Sequence, residues 1–151
     1  MKLAEALMER ADLQKRLSQL KSRLSMNAKV QEGEKPAEDP ETLLSELDTV
    51  IAQLETLITR INRTNAAPLA ENGDAILALL ARRDCLRLQT DALRDFLSDA
   101  SATVMRGTKS EVVIRSTVSV AELQKKIDAL AKELRELDVR IQSLNWSTEL
   151  L

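Results

Sequence analysis

The sequence has no histidine, no tyrosine, one cysteine and two aromatic residues, Phe96 and Trp146, in a chain of 151. Each absence removes a class of chemistry. Without histidine there is no Ser-His-Asp triad, no Cys-His pair and no histidine-bound zinc. The lone Cys85 forms no intrachain disulfide. Arg82, Arg83 and Arg87 around it favour a thiolate, but no base or second cysteine accompanies them, so Cys85 reads as a small residue on a helix face. Lys15, Arg16, Lys21, Arg23 and Lys29 form a basic half-helix with no interleaved aromatic on which bases would stack, so no nucleic-acid partner is expected. No apolar run approaches the roughly 18 residues that a bilayer-spanning helix needs. Glu5, Glu9 and Arg10 interrupt any secretory leader. A cytoplasmic protein without a transmembrane segment is the expectation.

Leucine and alanine dominate with 26 and 18 copies, and 30% of the residues are charged. That composition belongs to long helices and coiled coils rather than to sandwiches or barrels. The apolar spacing predicts one mainly α domain over 1–151, four long helices in a coiled-coil or helical bundle with a short β segment before the last. Helix one, about 2–27, carries Leu3, Ala6, Leu13, Leu17, Leu20 and Leu24 at heptad spacing, with Arg10 interrupting the seam. Helix two, about 40–63, opens on Asp39-Pro40, an N-cap carboxylate followed by proline at the first helical position. Beside its seam of Leu43, Leu47, Val50, Leu54, Leu57 and Ile61 runs another row, Leu44, Ile51 and Ile58. A face this wide calls for two neighbouring helices at once.

Helix three, about 75–102, places Arg83 and Thr90 at seam positions, where polar residues fix register and partner number. Helix four, about 119–145, starts with the capping box Ser119–Glu122 and continues as an unbroken heptad from Leu123 to Leu144. Between them the period changes. Residues 103–118 are rich in β-branched side chains, with a tight turn expected at Gly107-Thr108 and with Val112 and Ile114 set to face a core and to pair with a second strand. The loops are 28–39, broken by Gly33 and Pro36, and 62–74, containing Pro68 and Asn72-Gly73; Asn62 to Asn65 read as the cap on helix two.

Several stretches exceed a generic heptad: MKLAEALMERADLQKRLSQLKSRL, NAKVQEGEKPAEDP, RINRTN and TVSVAELQKKIDALAKELRELDVRIQSLNWSTEL. Together they resemble the septicolysin-like family of small bacterial proteins over nearly the whole chain, most specifically in VQEGEKPAEDP and LNWSTEL. The resemblance implies an α-helical coiled-coil fold and a bacterial origin. It brings no catalytic residues, and its name raises a membrane-active, cytolysin-like alternative.

The charges are uneven. Residues 1–29 carry a net +4 and residues 30–50 a net −6, so neighbouring segments are expected to neutralise each other. The acidic run Glu32, Glu34, Glu38 and Asp39 lacks the order of a calcium loop and reads as solvated. The residues favour a non-enzymatic, self-associating scaffold or protein-binding module, a homo-oligomer with no cofactor and no metal. The positions marked for interface or register are Arg83, Thr90, Val112, Ile114 and Trp146. Trp146, at the end of a strict heptad, is either a core plug or an interface anchor.

Overall fold

The computed structural model describes residues 1–69, 73–102 and 114–151. It is mainly helical with four helices: α1 (Leu3–Met26), α2 (Pro40–Ala66), α3 (Ile76–Ser101) and α4 (Val120–Ser147). The helix starts follow the expected chemistry. Asp39 accepts hydrogen bonds from the Glu41 and Thr42 backbone N–H groups (3.4 and 3.2 Å) ahead of Pro40, and the Ser119 hydroxyl accepts from the Glu122 N–H (3.3 Å). One helix end differs from expectation. Asn62 to Asn65 lie inside α2 rather than capping it. The Thr64 hydroxyl satisfies itself on the Arg60 carbonyl one turn back (2.9 Å), and the helix stops only where Ala67, extended before Pro68, leaves the helical region.

The β segment is not supported. Among the described residues there is no strand, only two isolated antiparallel bridges, Lys2 with Glu149 and Pro68 with Ala75. The hairpin expected at Gly107-Thr108, and Val112 with it, lie outside the described residues. Ile114 to Val118 are described, exposed and without strand structure. The Ser116 hydroxyl donates to the Val118 carbonyl (2.9 Å) and accepts from its N–H (3.4 Å). This local bonding occupies backbone groups that a ladder would have used.

The chain forms two compact units, Met1–Ile76 with Gln142–Leu151, and Leu77–Ile141. In the first, α1 and α2 form an antiparallel hairpin that buries Leu3, Ala6, Leu13 and Leu20 against Leu43, Val50, Leu57 and Ile61. Burying each leucine or isoleucine contributes about 1.5–3 kcal/mol. The C-terminal segment seals the open end of this hairpin. Leu3 N–H donates to the Thr148 carbonyl and Leu150 N–H to the Met1 carbonyl (2.9 Å each). Leu151 N–H reaches the Thr64 hydroxyl (3.0 Å), and Arg60 Nε reaches the Leu151 carbonyl (2.9 Å). At the other end the connection crosses over Asn27, a buried residue whose amide donates to the Arg23 carbonyl (2.8 Å) and accepts from the Glu38 N–H (2.9 Å). Gly33, with φ of +87°, supplies the turn within it.

In the second unit α3 and α4 exchange the ion pairs Arg82–Glu133 (2.7 Å) and Arg87–Asp138 (3.4 Å). Leu86, Thr90, Ile127 and Ile141 are its buried residues among those described.

Candidate functional site

A helix that places Val50 and Leu57 in the core turns the residues one position on, Ile51 and Ile58, about 100° further round its cylinder. Leu44, Ile51 and Ile58 recur every seven residues and so share one line along α2. That line is not covered. Leu44 is 45% and Ile51 44% exposed, and Ile58 is half-buried. Ile51, Leu54 and Ile58, with Glu55 and Thr59, border a shallow hollow of about 330 Å³. The neighbour that a wide apolar face calls for is present on one side, as α1, and absent on the other among the described residues.

Next to this line runs a row of acids at the same spacing, Glu41, Asp48 and Glu55. All three are exposed, and none has an ion-pair partner among the described residues. The acids of α2 and its approach that face α1 behave differently. Arg16 Nη2 meets Glu46 Oε1 at 2.6 Å, and Arg23 Nε donates to both oxygens of Glu38 (3.1 Å each). The expected neutralisation of the basic helix by the acidic segment is therefore made inside one chain, at these residues. The Arg16 guanidinium, and after it Arg23, hold the Glu46 carboxyl below its usual range. Arg23 does the same to Glu38, and Glu38 in turn raises Arg23. The Thr42 hydroxyl and backbone hold Asp39 down, and Lys2, with the Met1 amine, holds Glu149 down.

The positions marked from the sequence do not gather into one site. Thr90 is buried, and its hydroxyl is satisfied by the Leu86 carbonyl of its own helix (2.7 Å). Arg83 is half-buried and turns to the adjacent Asp84 (2.9 Å). Val112 lies outside the described residues, and Ile114 is 61% exposed. Trp146 is 54% exposed and stands over a hollow of about 320 Å³ lined by Ala4, Leu7, Met8 and Ala11 of α1. Of its two expected roles, that exposure excludes the core plug. Cys85 is exposed, and the described residues hold no group of three or more side chains able to grip a metal ion. Arg10, which interrupts the α1 seam, has a buried Nε without a hydrogen-bond partner among the described residues. Asn27 and Thr64 were missed as organising residues. A polar side chain at a helix end is the only sign either gives in the sequence.

The model of the Family of unknown function (DUF6847) matches residues 10–150. The chain belongs to the DUF6847 family. A crystal structure of a functionally unknown conserved protein from Corynebacterium diphtheriae is similar to it at 40% identity and a TM-score of 0.88, covering 100% of this chain and 99% of that one. No curated protein matches. The DUF6847 match overturns the septicolysin-like resemblance, and nothing in either comparison points to that family. The two stretches that suggested it have structural work to do in this DUF6847 chain. VQEGEKPAEDP is the connection from α1 to the Asp39 cap, and LNWSTEL is the end of α4 with the tail that seals the hairpin. The cytolysin-like alternative has no support. No described helix is long and apolar enough to cross a membrane.

Proposed function

We propose that this DUF6847 protein is a non-enzymatic, protein-binding helical module that associates with copies of itself. The observation that carries the reading is the uncovered apolar line of α2, Leu44 and Ile51 with the half-buried Ile58, set beside unpaired carboxylates. A contiguous apolar line on an otherwise charged helix is the signature of a surface that is covered in use. The absence of histidine, and a lone cysteine without a base, leave little for catalysis to employ.

Light scattering tests it directly. The molar mass in solution is expected to exceed the 16.8 kDa of one chain at micromolar concentration. Ile51→Asp, which places a charge in the middle of the line, is expected to lower that mass with helicity unchanged in the far ultraviolet. A mass of 16.8 kDa at all accessible concentrations sinks the self-association.

A further inference from the structure

The acid row decides how a second copy can sit on α2. Two α2 helices meeting face to face and antiparallel about a twofold axis through Ile51 bring both acid rows to the same side, with Asp48 against Glu55 of the other copy. A parallel pair leaves six carboxylates without a counter-charge. The first arrangement brings like charges together across a contact, which is costly, and the second leaves every acid of the row unmatched. The face needs a partner with its own apolar row and a row of bases.

The same chain carries one. On α4, Lys125, Lys132, Val139 and Trp146 follow one another at seven-residue spacing. Val139 is 69% exposed, and Arg135, exposed and without an ion-pair partner among the described residues, lies on the same side four residues before it. Among the described residues the lysines are held by exposed pairs with Glu122 (3.2 Å) and Glu136 (3.9 Å) of their own helix. Asp128, the acid between them, accepts from the Gln124 side chain (2.9 Å).

We infer that the acid-flanked face of α2 seats the Trp146 face of α4 from a second copy. This rests on the self-association proposed above and names its two surfaces. With the helices parallel and Trp146 in the hollow beside Glu55, Lys132 comes level with Glu41, because each lies fourteen residues upstream, about 21 Å along a helix. Val139 then meets Ile51 and Asp48, and Arg135 falls between Glu41 and Asp48. The indole N–H finds an acceptor in Glu55. Because the two surfaces differ, the contact is heterologous, and each copy keeps one face of each kind for a further neighbour.

Charge reversal on each face separately, read by light scattering on the full chain, tests this. Glu41→Lys/Asp48→Lys/Glu55→Lys is expected to weaken association about tenfold or more, and Lys125→Glu/Lys132→Glu/Arg135→Glu to do the same. Mixing the two variants restores the mass, because each then offers the charge that the other lacks. Restoration also shows that both variants fold. The emission of Trp146, the only tryptophan, shifts to longer wavelength in each variant alone and returns on mixing. If the α4 variant alone keeps the wild-type mass, or mixing restores nothing, the pairing of these faces is wrong while self-association stands. A wild-type mass of one chain removes both.

Discussion

The two compact units treat their seams differently. α4 has the more regular repeat, yet of its seam only Ile127 and Ile141 are buried, while Leu123, Leu130, Leu134, Leu137 and Leu144 are half-buried. α1 has a repeat broken by Arg10, yet Leu3, Ala6, Leu13 and Leu20 of its seam are buried and only Leu17 and Leu24 are half-buried. Regularity of the heptad therefore does not set the depth of burial. Two helices packed alone give each seam residue one facing neighbour, and α3 and α4 are the helices described in the second unit. In the first unit the hairpin gains a further layer at its open end from the C-terminal segment and closure at the other end from the Asn27–Glu38 crossing.

The contrast can be broken by cavity formation. Leu20→Ala, at a site with no exposure, is expected to cost about 3–4 kcal/mol, against about 1–2 kcal/mol for Leu134→Ala, both read from urea unfolding. Equal losses would mean that the α4 seam is covered as deeply as that of α1. A smaller effect sharpens the role of the crossing. Asn27→Ala removes both the acceptor for the Glu38 N–H and the donor to the Arg23 carbonyl, and is expected to cost about 1–2 kcal/mol. Hydrogen exchange should report that loss first in the last turn of α1 and the first turn of α2.

Acid provides a third comparison. Glu38, Glu46, Asp39 and Glu149 all lie in the first unit, and all are held below their ordinary values. Their stabilising contribution is complete above those ordinary values and is lost as the pH falls through the lowered ones. The urea midpoint should therefore drop as the pH is taken below the ordinary glutamate value of 4.5. Glu38→Gln/Glu46→Gln should flatten part of that drop, and an unchanged profile would assign it to other groups. The smallest effect is expected at Glu32 and Glu34, exposed in the same connection but outside its charge pairs. Glu32→Gln/Glu34→Gln should leave the stability read from urea unfolding at neutral pH within about 0.5 kcal/mol of wild type.

The helices were legible because leucine recurs at fixed steps, and the Asp39 and Ser119 caps because their chemistry is local. The end of α2 was misplaced because Asn62-Arg63-Thr64-Asn65 has the composition of a terminator. Only the inward turn of Thr64 onto Arg60 shows that the helix continues. Ile114 and its β-branched neighbours carried a strand propensity that Ser116 cancels by bonding Val118. The uncovered row of α2 was visible as Leu44, Ile51 and Ile58, but the absence of its second neighbour among the described residues was not. Glu41, Asp48 and Glu55 were equally visible at their spacing and gain meaning only beside an exposed Ile51. The tail contacts left no trace, since the partners of Leu3 and Leu150 are backbone atoms distant in sequence.

Those tail contacts impose an order on synthesis. The α1–α2 hairpin is complete once Ala66 has been made, but the carbonyl that Leu3 needs belongs to Thr148, 82 residues later. At roughly 5–20 residues per second, about 4–16 s pass before the ribosome delivers it. Through that interval the nascent hairpin waits with its first turn unlatched and the apolar line of α2 already displayed.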